Sequence, residues 1–510
     1  MMSTTPAPRA LNVDNINPNI RAAQYAVRGE IAVRSEKYRA QLKEKAQQPP
    51  TPPSATQENA QLPFDTVISA NIGNPQQLDQ KPITFFRQVL SLLENPDLLR
   101  NEDALTSTFN YPSDVIDRAK WLLSEVKSVG AYSASQGVPA IRQSVADFIA
   151  RRDGYPANKD DIFLSAGASA GVNIILSTIC NSPKTGILVP IPQYPLYTAT
   201  LAVLGATCVP YYLDEANAWG TNVADIRSAY EKARKEGVDV RAIAVINPGN
   251  PTGASLSRGD IENVLGFAAE AGVVVLADEV YQTNIFQGSF HSFKSVLRSL
   301  QSGSSSTGDN KNDGGEKYQN LELASLNSIS KGMVGECGHR GGYFELTNFD
   351  PDVKAQIYKF VSINLCAPVV GQCLVEMQCH PPTPGSPSYP LYHKEYEGIK
   401  DGLKERAYAL WKAFQDMEGV ECQEPQGSMY LFPTIHVPEK AVRKAEEEGR
   451  AADEFYCSRL LDSTGICMVG GTGFGQKEGT LHLRTTFLAP GTEWVGRIGR
   501  FHEGFMEEFR

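Results

Sequence analysis

Short, unbroken apolar runs recur through the middle of the chain: "DIFLSAG" (161–167), "TGILVPIP" (185–192), "VRAIAVIN" (240–247), "GVVVLADEVY" (272–281) and "LASLNSIS" (323–330). They are rich in β-branched residues and lack the polar alternation of a half-exposed strand. Such runs predict strands covered on both faces, and so a mostly parallel sheet in an α/β layer. Helical periodicity separates most of them, as in "SRGDIENVLGFAAEAG" (257–272). After about residue 370 the pattern changes. A long charged helix is expected at 396–417, followed by strand-like "GSMYLFPTI" (427–435) and "TLHLRTTFL" (480–488), which suggests a second, smaller α+β domain.

Low-complexity stretches punctuate this order. A charged helix is expected at roughly 21–46, and the proline- and glutamine-rich 47–63 reads as an extended connector. "QSGSSSTGDNKNDGGEK" (301–317) interrupts a regular region and reads as a flexible surface insertion. At 510 residues the chain exceeds one ordinary core, so two domains are expected.

Composition narrows the class. The chain is 41% hydrophobic and 21% charged, as globular proteins are, with a formal net charge of −10. That balance argues against nucleic acid or an anionic membrane as a constant partner. No apolar run approaches the length of a membrane-crossing helix. The nine cysteines form no CxxC pair and the seven histidines no HExxH, so free thiols and no metal site are expected. The first twenty residues have no apolar signal core, are poor in arginine and include Asp14; the cytoplasm is the expected compartment, with the mitochondrion as the alternative.

In open parallel sheets, ligands sit beyond the carboxyl ends of the strands. Those ends carry "GASAG" (167–171), "PQYPLY" (192–197), "NPGNPTG" (247–253), "DEVY" (278–281) and "SISKG" (328–332). An aldehyde cofactor with a pyridine ring and a phosphate would need a lysine for a Schiff base, a carboxylate at the ring nitrogen, donors for the ring oxygen, and a helix start with an arginine for the phosphate. Taken singly, each residue has a plainer reading. Ser169 could be a helix cap, Ser328 a strand-end hydroxyl, Asp278 a turn carboxylate and Asn250 part of an Asn-Pro turn. Tyr194 could be a loop aromatic, Lys331 a surface lysine and Arg340 the partner of some acid. Their ordered conjunction on successive strand ends favours one site.

The series N-P-x-N-P-T-G, D-E-x-Y, S-x-S-K-G and G-x-R-G-G-Y resembles the fold-type-I pyridoxal-phosphate aminotransferases. Within them "GAYSASQGVPAIR" (130–142), "FIARRDGYPA" (148–157) and "SKGMVGECGHRGGY" (330–343) are most similar to the alanine aminotransferases. The resemblance runs from about Leu11 to the C-terminus. It implies Lys331 as the Schiff-base lysine and proton shuttle, Asp278 at the pyridinium nitrogen, Asn250 and Tyr281 at the ring oxygen, and Tyr194 stacked on the ring. Ala168, Ser169, Ser328 and Arg340 would bind the phosphate, with Tyr132 reaching the phosphate of the other subunit of a homodimer. Arg484 would clamp the substrate α-carboxylate, joined there by Asn250 and Gly73.

Two features depart from the common pattern. Arg340 follows Lys331 by nine residues where most of the superfamily has eight, a spacing similar to the alanine group. His339 and Met333 stand where other residues are usual. The implied layout is an arm, helix and connector (1–63), a first part of the small domain (64–105), a large cofactor-binding domain (106–370) and the rest of the small domain (371–510). The implied reaction is ping-pong transfer from L-alanine to 2-oxoglutarate through the pyridoxamine form. Another amino donor (glycine with glyoxylate, or an aromatic amino acid), a lyase on the same cofactor, and a scaffold without turnover are the alternatives.

Overall fold

The computed structural model describes residues 10–25, 29–47, 62–303 and 315–510. Most of the expected connector, at 48–61, and most of the expected insertion, at 304–314, lie outside the described residues. The charged helix runs Glu30–Gln47 rather than from about residue 21. A separate one-turn helix, Pro18–Ala22, precedes it, started by the Asn17 side chain accepting from the Asn19 N–H and by Pro18 in its first turn.

Eight strands form the main sheet: β1 (Ile162–Ser165), β2 (Thr185–Ile191), β3 (Thr207–Asp214), β4 (Gly220–Thr221), β5 (Asp239–Ile246), β6 (Val274–Asp278), β7 (Leu323–Ser328) and β8 (Gly342–Thr347). Their order is β1-β8-β7-β6-β5-β2-β3-β4. The centre is parallel, as the apolar runs predict, and buried on both faces. Ile243, Val275 and Ala277 pack on one side with Val264 and Phe267 of helix Arg258–Ala271. Leu276 and Ala244 pack on the other with Val172 and Leu176 of helix Ala168–Ile179.

Besides the two-residue edge strand β4, which is antiparallel to β3, one strand inside the sheet runs against the others. β8 is antiparallel to both β7 and β1, so that Ser328 and Ser165 both stand opposite Gly342. The loop 329–341 therefore leaves the sheet and returns to the same edge. That register brings Lys331, Arg340 and the start of the helix at Ala168 together, although 163 positions separate Ala168 from Lys331. The parallel neighbours complete the row, with Ile246 and Leu326 flanking Asp278.

The C-terminal part packs long helices (Tyr389–Gln415, Ala452–Thr464 and Val495–Phe509) around short strands. β9 (Tyr430–Leu431), β10 (Val469–Gly470) and β11 (Leu483–Thr486) form a three-stranded sheet with β11 at its centre. Ile68–Ser69 pairs parallel with Ile466–Cys467, which carries Gly73 to the mouth of the main sheet.

Candidate active site

The strand ends open into a cavity of about 250 Å³. Its walls include Gly73, Ala168, Ser169, Tyr194, Asn250 and Asp278, and also Tyr281, Ser328, Lys331, Arg340 and Arg484. Eleven of the twelve residues singled out in the sequence thus converge. Tyr132 does not: it is 80% exposed and outside the cavity of its own chain.

Lys331 reaches the cavity from the loop after β7, and its Nζ donates to the Gly73 carbonyl at 2.7 Å. The approach is close enough that a side chain at Gly73 would push its neighbours aside. A Cβ on Gly73 would stand 2.1 Å from the Tyr430 hydroxyl and 2.9 Å from Lys331 Nζ. Asp278, at the last position of β6, is buried. Burial pushes its carboxyl up to about 6, against the lowering effects of the Val280 N–H, the Tyr197 hydroxyl and Lys331. Tyr197 donates to Asp278 Oδ2 at 3.2 Å.

At the other end, Arg340 adopts a left-handed backbone (φ 54°) and turns its guanidinium towards the helix start. Nη1 donates to the Cys337 carbonyl and Nη2 to the Ala166 carbonyl, both at 2.9 Å. The Ser330 and Ser169 hydroxyls lie 3.5 Å from the same nitrogens. No side chain caps the helix at Gly167, and a Cβ there would come within 2.5 Å of Arg340 Nη2. Uncapped N–H groups, two hydroxyls and a guanidinium are the donor set a phosphate takes. Ser328 is engaged otherwise. Its hydroxyl donates to the Gly341 carbonyl and accepts from the Ser330 N–H, both at 3.1 Å, so Ser330 offers the nearer hydroxyl to Arg340.

Arg484, on β11, is fully enclosed. Its guanidinium carbon lies 4.5 Å from the Tyr430 ring centre and 4.4 Å from that of Phe474. Nη1 donates to Asn250 Oδ1 at 3.2 Å and Nη2 to the Asn71 carbonyl. It makes no ion pair with any described carboxylate, and its Nε has no hydrogen-bond partner there. A buried guanidinium without an anion is costly unless a ligand brings one. Tyr281 donates to the Tyr430 hydroxyl at 3.3 Å. Burial opposes ionisation of Tyr430, yet Lys331 and Arg484 outweigh it and hold the phenol below its usual value.

Several lining or supporting residues were not evident from sequence: Tyr25, Tyr197, Ser330, Tyr430 and Phe474. Phe474 sits in "GGTGFG" (470–475), whose glycines form a tight turn beside Arg484. His339 faces away from the cavity; its Nδ1 lies 2.9 Å from Glu336 Oε2, and Glu336 is held by Arg87. Met333 is buried in the C-terminal core.

The donor set fits pyridoxal phosphate: a lysine amine, a buried carboxylate, a phosphate cup and a free anion clamp around one cavity. Residues 101–494 match the family aminotransferase class I and II. The chain is 50% identical to "Alanine aminotransferase, mitochondrial" of Saccharomyces cerevisiae, over 98% of this chain and 81% of that one. It is 47% identical to "Inactive alanine aminotransferase" of the same yeast, over 97% and 94%. The solved structure of an alanine aminotransferase from Pyrococcus furiosus superposes with a TM-score of 0.70 at 23% identity, covering 96% of this chain and all of that one. The chain belongs to the class I and II aminotransferases, the pyridoxal-phosphate-dependent enzymes of fold type I.

Proposed function

We infer that this protein transfers the amino group of L-alanine to 2-oxoglutarate, giving pyruvate and L-glutamate. Relatives named alanine aminotransferases at 43–50% identity over nearly the whole chain support that reaction. The observation that carries it is the Arg484 guanidinium, buried without a carboxylate partner in the cavity that holds Lys331 and Asp278. When bound, pyridoxal phosphate supplies an electrophilic carbonyl carbon and a protonated ring that draws electron density from the substrate α-carbon.

The residues divide the remaining work. Arg484 and Asn250 orient the α-carboxylate, and the planar fork of Arg484 sets the substrate's direction. Lys331 Nζ removes the α-proton and carries it through a 1,3-shift, to a carbon two bonds from the α-carbon. Asp278 would keep the ring nitrogen protonated, Tyr281 and Asn250 would serve the ring oxygen, and Tyr194 would pack on the ring. Ala168, Ser169, Ser330 and Arg340 hold the phosphate, with Ser328 fixing the loop beneath them. The relative named inactive sets the rival, a cofactor-binding scaffold. The complete set of cations and carboxylate around the cavity favours turnover.

The test compares kcat/KM for alanine, aspartate and phenylalanine with 2-oxoglutarate as acceptor. Alanine should lead by at least about tenfold, or ~1.4 kcal/mol of transition-state binding. Among the described residues no cation lines the cavity beyond Lys331, Arg340 and Arg484, so none of these leaves a further guanidinium for aspartate's second carboxylate. A lead by aspartate or phenylalanine overturns the substrate assignment, and no transfer at all supports the scaffold.

The working unit in this reading is a homodimer in which Tyr132, exposed on its own chain, reaches the phosphate of the partner's site. Mixing Tyr132→Phe with Lys331→Ala chains checks it. One of the two hybrid sites then has both wild-type residues, so activity should exceed that of either parent; no gain counts against the shared site. Two lobes are also part of the reading, a large one around the main sheet and a small one built on the C-terminal helices with the strand at Ile68. The packing of Phe86 and Val89 with Ile141 and Leu374 favours placing helices Thr84–Glu94 and Val369–Cys379 with the large lobe. Limited proteolysis that cuts within either lobe first would oppose this division. No helix among the described residues is long and apolar enough to cross a membrane. The cytosol is the proposed compartment and the mitochondrion, which the yeast relative's name carries, the alternative; cell fractionation decides.

A further inference from the structure

Behind the cavity wall, two ionisable groups from distant parts of the chain meet. His482 precedes β11 and lies two positions before Arg484, on the same face of the strand. Glu215 follows β3 of the main sheet, and its Oε1 lies 3.1 Å from His482 Nε2. The Thr434 hydroxyl donates to the same oxygen. Burial opposes ionisation of Glu215, yet the His482 and Thr434 hydrogen bonds outweigh it and hold the carboxyl below its usual value. Neither His482 nor Glu215 belongs to the cavity wall.

His482 is buried, and its ring is fixed on every side. Nδ1 lies 3.0 Å from Gln476 Oε1, and the His482 backbone N–H donates to that oxygen at 3.1 Å. The orientation of the Gln476 amide is set, because its Nε2 donates to Asp453 Oδ2 at 3.1 Å. Both ring nitrogens therefore face oxygen acceptors, an arrangement that a doubly protonated imidazole satisfies. Phe432 stacks on the ring at 4.7 Å between centroids with the planes 3° apart, and Trp219 meets it edge to face at 5.5 Å. Trp219 holds a left-handed backbone (φ 61°), a costly state for a bulky residue that persists only under firm packing.

The same histidine brackets the turn that carries Phe474. The Gly471 N–H donates to the His482 carbonyl at 2.8 Å, and Gln476 accepts from His482 at the other end. Between them, the Phe474 ring centre lies 4.4 Å from the Arg484 guanidinium carbon, and the ring meets Phe432 edge to face at 6.2 Å. A planar cation flanked by aromatic faces keeps its direction while those rings keep theirs. We propose that His482 and Glu215 are positioning residues for the α-carboxylate clamp: together they pin the turn that sets Phe474 against Arg484 and anchor it to the main sheet. The inference rests on the reading of Arg484 as the group that binds the substrate α-carboxylate.

Two variants of the holoenzyme test it, with 2-methylalanine, an amino acid that has no α-proton, as the probe in an absorbance titration. Glu215→Ala removes the acceptor. His482→Phe keeps the stack on Phe432 and removes both ring donors. Each should raise the Kd of 2-methylalanine about tenfold, the loss expected for a hydrogen bond to a charged group. KM for alanine and for 2-oxoglutarate should rise together with kcat held within about threefold, and the Kd of pyridoxal phosphate should change less than about twofold. The Glu215 side chain is 38% exposed, so Glu215→Ala keeps the test open should His482→Phe not fold. Arg484→Lys should itself weaken 2-methylalanine, and in that background Glu215→Ala should add less than about twofold, because its effect passes through the guanidinium. Three results overturn this inference alone: a Glu215→Ala variant with unchanged Kd, one that raises the Kd of pyridoxal phosphate equally, or one whose cost is the same in the Arg484→Lys background. An Arg484→Lys variant that binds 2-methylalanine as the wild type does overturns the underlying reading, and the inference with it.

Discussion

Lys331→Ala is expected to lower amino-group transfer by at least about 10⁴-fold, the largest effect of any single substitution in this protein. General acid–base catalysis by one positioned group contributes about 10²–10⁴-fold, and in the proposed mechanism the same amine also provides the covalent attachment. No second lysine lines the cavity among the described residues. Lys294, a buried lysine near the sheet, is paired with Glu345. The phosphate cup does not use Lys331, so the variant should still bind pyridoxal phosphate without a covalent bond through Arg340, Ser169 and the helix start. Borohydride reduction of the wild-type holoenzyme, followed by peptide mapping, should place the cofactor on Lys331. A labelled peptide from elsewhere would refute the assignment. So would a variant that keeps more than about one part in a hundred of wild-type turnover.

Asp278→Asn should cost several orders of magnitude in transfer rate while making the cofactor-free protein more stable at neutral pH. The two effects share a cause. Burial pushes the Asp278 carboxyl up to about 6 from its ordinary 3.8. The folded chain therefore holds this proton more tightly than the unfolded chain does. Across that interval the unfolded state binds fewer protons, so this group's contribution to stability falls as pH rises from about 4 to about 6 and is level above. The displacement corresponds to about 3 kcal/mol at ~1.4 kcal/mol per unit. Asparagine has no proton to lose, so the variant's stability should lack that fall. Its melting temperature without cofactor should match the wild type near pH 4 and exceed it at pH 7.5. In the proposed holoenzyme the cost of the buried charge would be offset by a protonated ring nitrogen, which the carboxylate would keep charged. Asparagine keeps the size and hydrogen-bonding groups but not the charge, so transfer falls much more than cofactor binding. Near-normal turnover in Asp278→Asn would sink the electronic role. A wild-type protein whose cofactor-free stability is flat from pH 4 to 6 would sink the thermodynamic one.

Short-range chemistry was legible without coordinates. The apolar runs at 185–192, 240–247, 272–281 and 323–330 correspond to β2, β5, β6 and β7, because an uninterrupted apolar strand is stable only when both faces are covered. Once those strands lie parallel, the residues just past them share an edge, and Asn250, Asp278 and Lys331 meet there for that reason. Local rules failed where packing decides. The expected helix start near residue 21 moved to Glu30, with a separate helical turn at Pro18–Ala22 docked on helix Leu196–Leu204 through Asn19.

The sequence by itself determined the strand order of the chemistry: which residue types stand at successive strand ends, and so the cofactor and the reaction class. Tertiary structure decided the rest. The antiparallel entry of β8 between β7 and β1 brings Arg340 back beside Ala168, and no local periodicity distinguishes an antiparallel buried strand from a parallel one. The stacking of Arg484 between Tyr430 and Phe474, and the hydrogen bond between Tyr25 and Tyr194, join residues from 10 to 169 positions apart. Side chains so separated meet only through the packing of whole helices and sheets.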